Sequence, residues 1–403
     1  MNYLCAVDSC FHDCPGGTAR VAFDIALLMR EYGHHVTMIC KAENDHQDAS
    51  TAIEREGIRI LRYTKTNFNN WSPFYAQNQI KTVKKAVHKF LPNIKWDIIH
   101  IHSLFTGAGV MEALGDNPRY LYTVHSPVVA EQKINWSHQG LIGKVKLLFG
   151  LRILKRLENK ILHKASAIHV LSKFTKSQIQ HFLGLADKIT IIPHWIQPQY
   201  IRTKKKAEAR ALLGWPQNIP VLFTIRNHIP RTGLDIAIDA IAPLAIQKRC
   251  IFVVAGDGPM RTMLQQRARN AGAGPAQVVF TGHLSDKKLM LAYQAADLFV
   301  LPTVELECFG LIILEALAMG CPIVATNVAA ISEILEPILP DFIVPANNVT
   351  AMRTKLQDYL EGKLVVPEQA TLIEYVQCRY AKKVVSQKMM DLVTKLTGKH
   401  DCL

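Results

Sequence analysis

Residues 305–320 read ELECFGLIILEALAMG, apolar apart from Glu305, Glu307 and Glu315. The segment before it, DLFVLPT (297–303), has the pattern of a buried strand, so ELECFG reads as a loop and LIILEALAM as a helix closed by Gly320 with Pro322 behind it. Glu307 then lies in the loop ahead of the helix and Glu315 on its second turn. A carboxylate in such surroundings needs hydrogen-bond donors. The amides at the helix start, around Phe309 to Ile312, favour an anion such as a diphosphate. Carboxylates accept well from hydroxyls, and a vicinal diol offers two donors at once. A diphosphate flanked by polyols is a nucleotide sugar. The plainer reading of the same stretch is a capping Glu307 and a surface-facing Glu315.

Outward from this segment, VLFTIR, CIFVVAG, QVVFTG, DLFVLP, PIVATN and DFIVP are short β-rich runs separated by helical patterns. The first half repeats the theme. NYLCAV, a Gly-containing turn (CPGGTAR) and ARVAFDIALLMREYG, with apolar residues at three- and four-residue spacing, lead to HHVTMIC as a βαβ unit with Gly33 as C-cap. IRILRY, DIIHIH, RYLYTVH, AIHVLS and KITIIPH follow. Strands alternating with helices imply parallel sheets covered on both faces. The expected class is α/β, with two doubly wound domains and a linker near residues 195–203. The last apolar-periodic stretch, YVQCRYAKKVVSQKMMDLVTKLT, is expected to be helical.

At 403 residues and 49% hydrophobic content the chain can bury more than one core. No window reaches the length of a membrane span, and the N-terminus lacks signal-peptide features, so a cytoplasmic protein is expected. The nine cysteines include no CxxC pair and suggest free thiols. The cluster Cys5, Cys10 and Cys14 with His12 lacks zinc-site spacing. Net charge is +14, and the window 133–176 holds ten Lys/Arg against one acid, Glu158. No nucleic-acid-binding module accompanies that charge, so an acidic lipid surface or anionic glycan is the better-matched partner. On a helical wheel, residues 144–161 gather Leu147, Leu151, Leu154, Leu157 and Ile161, and set Lys146, Arg152, Arg156 and Lys160 opposite with Phe149 and Ile153 among them. A peripheral contact of residues 141–164 with an anionic membrane is the expectation, against the commoner solvated helix with a leucine stripe.

Ligands of open parallel sheets bind at the carboxyl ends of the strands. The PGG turn with Gly16 and Gly17 follows the first strand. Arg226 and Arg231 follow VLFTI as two guanidiniums suited to phosphate, placed where positive charge opposes a helix dipole and calls for an anion. No G-x-G-x-x-G follows the first strand, which argues against a nicotinamide oxidoreductase.

These residues resemble the family-4 retaining glycosyltransferases of GT-B architecture. Glu307-Cys-Phe-Gly310 followed by Glu315 is similar to their E-x7-E motif. The likeness extends through the GG at 16–17, GHHV at 33–36, DIIHIH at 97–102, TVH at 123–125, Arg226 with Arg231, AGDGP at 255–259, VVFTGHLSD at 278–286 and AADLFVLPT at 295–303. The resemblance implies two Rossmann-like domains facing across a cleft. Residues 1–196 would bind the acceptor, completed by a terminal helix at about 380–403, and 197–379 would bind the nucleotide sugar. It also implies that Arg226 and Arg231 neutralise the diphosphate, Glu315 binds ribose, Glu307 binds a sugar hydroxyl, and Phe309, Gly310 and Leu311 approach sugar and phosphate. His125 would sit by the transferred sugar, Gly16 and Gly17 would border the phosphates, Gly256 would belong to the donor-binding residues, and His283 and Leu284 would lie by the base. Departures are Thr232 after Arg231, Ala329-Ala330 in place of a GG pair, and no glycine near Pro340–Asp341.

The chain has no D-x-D, so no metal is expected and no cofactor beyond the donor substrate. The implied activity is retaining transfer from a nucleotide diphosphate sugar to a glycan, lipid-linked or small-molecule hydroxyl. A nucleotide-sugar epimerase of similar fold and a non-catalytic nucleotide- or glycan-binding module are the alternatives.

Overall fold

The computed structural model describes residues 1–398 except Pro15, 43–51, 66–73, 138–139 and 181–183, and omits the side chains of Leu141, Ile142 and Val145. Pro15 of the PGG turn, the Leu141 end of the basic segment and residues 399–403 of the expected terminal helix therefore lie outside the description. The chain divides into two units, Met1–Pro193 with Ser386–Leu403, and His194–Val385.

The sheet of the first unit contains β1 (Asn2–Ala6), β2 (His35–Lys41), β3 (Ile53–Arg55), β4 (Ile58–Tyr63), β5 (Ile98–Ile101), β6 (Arg119–Val124), β7 (Ala167–Val170) and β8 (Ile189–Ile191). Their order is β3-β4-β2-β1-β5-β6-β7-β8. All pairs are parallel except β3 with β4. The Ile53–Arg55 edge strand is too short to show a period, and it turns back through Glu56 and Gly57, both at positive φ, as a tight hairpin requires. One face of the sheet, with Leu4, Ile99, Tyr122 and Ile168, belongs to a continuous apolar cluster. The opposite face carries Tyr3, His100, Thr123 and His169, all buried.

In the second unit, β9 (Val221–Ile225), β10 (Ile251–Ala255), β11 (Val278–Gly282), β12 (Leu298–Leu301), β13 (Ile323–Thr326) and β14 (Ile343–Val344) are ordered β11-β10-β9-β12-β13-β14. Every pair is parallel. Counted from β9 this is the 3-2-1-4-5-6 order of a doubly wound sheet, with its reversal between β9 and β12. The central residues Leu222, Phe223, Val253, Val254, Phe299 and Val300 are fully buried, as strands covered on both faces demand.

Two expectations need correction. The stretch from Tyr375 onward is two helices, Gln369–Tyr380 and Lys382–Thr397, because Ala381 is extended. Ala381 bridges Ile196, whose amide donates to the Tyr380 carbonyl at 2.8 Å, and that pairing takes Ala381 out of the helical ladder. The 144–161 wheel assumed one regular helix, but Lys146–Gly150 is π-helical between Gly140–Val145 and Leu151–Lys164. Within the stripe, Leu154 and Ile161 are buried, while Leu147, Leu151 and Leu157 are half-buried. Glu158, the single acid of the basic window, is buried and accepts from the Val128 amide at 2.8 Å.

The helices Tyr75–Phe90 and Leu104–Leu114 pack closely because the second carries Gly109, while Gly107 on the same helix faces Ile101 of β5. A Cβ on Gly109 would lie 2.5 Å from Val83 Cβ and 2.9 Å from the Ile80 carbonyl oxygen. Overpacking of this kind costs about 1–3 kcal/mol, more than the ~1 kcal/mol that alanine gains in helix propensity. Gly109→Ala is therefore expected to lower the urea midpoint of the first unit.

Candidate functional site

The loops after β9 and β12 meet at the strand-order reversal of the second unit. Arg226 directly follows β9, and its Nη1 pairs with Glu307 Oε2 at 2.9 Å, while Nη2 donates to Thr303 Oγ1 at 3.1 Å. The two charged side chains are 8% and 16% exposed, so each largely supplies the other's compensation. Thr303 is buried, and its hydroxyl oxygen accepts from the guanidinium, which makes it a support for Arg226. Glu307 is no helix cap: the N-cap of Leu311–Ala318 is Gly310, without a side-chain cap bond.

Arg231 grips the same loop from the other side. Its Nη1 donates to the Leu306 carbonyl at 3.1 Å, and its own carbonyl accepts from the amides of Val304 and Glu305. Arg231 thus keeps most of its five donors clear of that one bond. Glu315 is half-buried and accepts from the Tyr293 hydroxyl at 3.0 Å. Tyr293 is fully buried, and burial first, then the neighbouring Glu315 charge, drives its pKa well up, so it stays a donor. Phe309 is buried against Tyr380, with ring centroids 6.3 Å apart. Leu311 opens the helix; helix geometry leaves its first amides without acceptors in the helical ladder, and the Ile313 amide turns to the Gly310 carbonyl at 2.9 Å.

Gly256 follows β10 at φ +98, and a Cβ there would stand 2.0 Å from the Arg226 carbonyl oxygen. This glycine is required by close approach to the Arg226 backbone, and its amide donates to the Gly282 carbonyl at 2.8 Å. His283, exposed, and Leu284, half-buried, follow at the end of β11. His228, fully buried beside this loop, has its pKa pushed down by burial.

In the first unit, Gly16 and Gly17 are exposed, Gly16 is extended at φ −175, and a Cβ on either would meet nothing within 4 Å. Neither backbone strain nor packing within the unit demands glycine at these positions. His125, half-buried after β6, has its Nε2 3.0 Å from Nδ1 of buried His102, which follows β5. The loop after β1 is pinned there too, since Ser103 Oγ accepts from the Asp8 amide at 2.9 Å and Thr106 donates to Asp8.

The structure thus brings Arg226, Arg231 and Glu307 onto one loop system, with Glu315 on the helix that follows. Thr303, Tyr293 and His102 were missed by sequence reasoning. Thr303 and His102 each follow a strand end and carry a polar side chain, which was the available signal, whereas Tyr293 lies inside a helix and offered none. Among the described residues, no three His, Cys, Asp or Glu side chains gather in a metal-binding arrangement.

Ala329, where the motif favours glycine, has φ +54, and the adjacent Ala330 amide donates to the Glu307 carbonyl at 2.9 Å. The left-handed conformation costs an L-residue about 1–2 kcal/mol, partly offset by glycine's larger unfolded-state entropy. Ala329→Gly should raise stability by up to ~1 kcal/mol, read as a higher urea midpoint at unchanged slope.

A family model described as "Glycosyl transferases group 1" matches residues 205–379, and one described as "Glycosyltransferase Family 4" matches residues 15–200. A phosphatidyl-myo-inositol mannosyltransferase of Mycobacterium tuberculosis is 25% identical over 398 residues, covering 96% of this chain and 95% of that protein. Among solved structures, sucrose-phosphate synthase from Thermosynechococcus elongatus superposes with a TM-score of 0.83 at 19% identity, over 99% of this chain and 100% of the other. Anabaena Alr3699/HepE in complex with UDP-glucose gives 0.75 at 18%, over 98% and 100%. The fold is GT-B, and the chain belongs to the family-4 glycosyltransferases, glycosyl transferases group 1.

Proposed function

We propose that this glycosyltransferase is a retaining enzyme that moves a sugar from a nucleotide diphosphate sugar to a hydroxyl acceptor without a metal. The observation that carries the proposal is the Arg226–Glu307 pair at the reversal of the second sheet, with Arg231 on the same loop and Glu315 on the helix behind it. Arg226, Arg231 and the amides from Phe309 to Leu311 receive the diphosphate, which is electrostatic stabilisation of the leaving group. Glu315 accepts from the ribose hydroxyls, with Gly256, His283 and Leu284 toward phosphate and base. Glu307 accepts from a sugar hydroxyl on the oxygen that Arg226 leaves over. His125, with Gly16 and Gly17, meets the sugar and phosphates from the first unit.

In the transfer step, the acceptor oxygen bonds to the anomeric carbon on the face from which the diphosphate departs. The bond from that carbon to the phosphate oxygen breaks, and the departing oxygen takes the acceptor's proton. The products are a glycoside of unchanged anomeric configuration and a nucleoside diphosphate.

The proposed acceptor is lipid-linked. No described helix is long and apolar enough to cross a membrane. Leu148, Phe149 and Ile153 are 57%, 58% and 41% exposed, beside exposed Arg152, Lys155 and Arg156. Apolar side chains set in a cationic face suit the cytoplasmic surface of an anionic membrane. The mannosyltransferase relative, whose name specifies a phosphatidylinositol acceptor, agrees with that choice.

Arg231→Ala is the cleaner test of the donor site, since Arg226→Ala would also strand the Glu307 carboxylate at a cost of about 3 kcal/mol. Arg231→Ala is expected to lower turnover by orders of magnitude with the thermal midpoint nearly unchanged, measured with UDP-glucose as the first donor of a nucleotide-sugar panel; near-normal turnover would sink the assignment. Donor conversion that needs no acceptor would instead indicate epimerisation.

For the surface patch, wild-type protein should sediment with phosphatidylglycerol vesicles and far less with phosphatidylcholine ones. The paired change Phe149→Ser and Ile153→Ser should weaken the first. No sedimentation of the wild type with phosphatidylglycerol vesicles would favour a soluble acceptor, and equal sedimentation of wild type and variant would remove Phe149 and Ile153 from the contact.

A further inference from the structure

A hydrogen-bonded chain crosses the buried face of the first sheet and can be assigned proton by proton. His169 Nε2 lies 2.8 Å from the Ile192 carbonyl, which only accepts, so Nε2 carries the hydrogen. In the neutral ring Nδ1 then accepts from the Thr123 hydroxyl at 2.8 Å. That hydroxyl has one proton to give, so its oxygen accepts from His100 Nε2 at 2.6 Å, and His100 Nδ1 accepts from the Tyr3 hydroxyl at 2.5 Å. His100 is fully buried, and burial holds it neutral with its pKa driven well down. One carbonyl thereby fixes the ring angle and tautomer of two histidines.

His102 lies on this base. Its ring centroid is 4.0 Å from that of His100 at an interplanar angle of 40°, and it is 4% exposed. Its Nδ1 is 3.0 Å from His125 Nε2, and the two residues close adjacent parallel strands, β5 and β6. Only one hydrogen can lie between those two nitrogens. If His125 holds it, neutral His102 is the Nε2–H tautomer; if His102 holds it, His125 carries its own hydrogen on Nδ1.

We infer that His102 is a positioning residue for His125: stacked on the buried, proton-ordered base, it holds the ring angle of His125 and couples the tautomers of the two rings through their one shared hydrogen. The inference rests on the reading that His125 meets the transferred sugar. A group that must donate to, or accept from, one hydroxyl works in one tautomer, and a scaffold that fixes the ring shortens the search for productive geometry.

The test uses the full chain labelled with ¹⁵N-histidine, and reads the ring nitrogens by long-range proton–nitrogen correlation, with His125→Asn to assign the signals. In the wild type His125 should show a single tautomer. His102→Leu removes the hydrogen bond and should give His125 the mixed signature of a free imidazole. His102→Asn, whose amide reaches the Nδ1 position, should restore the single one. His102→Gln, which reaches Nε2 instead, should behave as Leu does and serves where Leu unfolds the chain.

With the nucleotide sugar that wild-type protein turns over in the panel beginning with UDP-glucose, His102→Leu or His102→Gln should lower kcat on the order of tenfold or more, with donor KM little changed and partial recovery in His102→Asn. An unchanged His125 signature in both His102→Leu and His102→Gln overturns the inference. Full turnover in His125→Asn overturns the sugar-binding reading of His125 and with it the proposed purpose of His102, whatever the signature shows.

Discussion

The ion pair between Arg226 and Glu307 ties the ends of two neighbouring parallel strands, and the loops beyond the strand ends of the second unit are arranged around it. At 8% and 16% exposure neither charge would be stable alone. Their pairing sets the position of the 304–307 loop, which the Arg231 side chain and backbone hold from the other side. Fixing that loop places Gly310 as the cap of the next helix and directs its first amides outward from the strand ends. Gly256 has no Cβ because the Arg226 carbonyl occupies the space, so the third loop of the region is shaped by the same arginine. On the proposed reading the pair has a second consequence. A carboxylate already balanced by a guanidinium can accept a sugar hydroxyl without carrying an uncompensated charge toward the diphosphate.

The strand pattern of both units was legible because their strands are buried on both faces and appear as short unbroken apolar runs. VLFTI and DLFVLP name β9 and β12 directly, and the loops after them hold Arg226 and Glu307. What escaped was structure without a period. Ile53–Arg55 is three residues long, the π-turn at Lys146–Gly150 depends on how Trp136 and its neighbours pack, and the break at Ala381 is set by a partner, Ile196, almost two hundred positions away. The partner choice within the site was hidden for the same reason. Sequence offered Arg226 to a phosphate and Glu307 to a hydroxyl, and gave no sign that each is first the other's counter-ion. Tyr293, which orients Glu315, sits among apolar helix residues and reads as core.

The departures from the family pattern are cheaper than they look in sequence. Ala329 takes the left-handed backbone that glycine would take, at a local cost, and the turn it forms still delivers the Ala330 amide to the Glu307 carbonyl. The backbone contact that supports Glu307 is therefore kept while the glycine is lost. Gly16 and Gly17 are the reverse case. They are glycine with no strain to relieve and no described neighbour to avoid, so nothing in the unit itself calls for a small residue there.

The two sheets solve different problems at their buried faces. In the second, β9 and β12 present Leu222, Phe223, Phe299 and Val300, and polarity begins only beyond the strand ends. In the first, one face is apolar while the other buries Tyr3, His100, Thr123 and His169 in a single file of hydrogen bonds. Leucines would fill that space at lower desolvation cost. A polar file does what leucines cannot, because each donor must find its acceptor and the whole row has one arrangement of its hydrogens once His169 commits to the Ile192 carbonyl. Direction is thereby imposed on an otherwise featureless stack of strands. It ends against the His102 ring, one hydrogen bond from His125, which places a file of hydrogen bonds with a single direction behind the candidate site residue of the first unit.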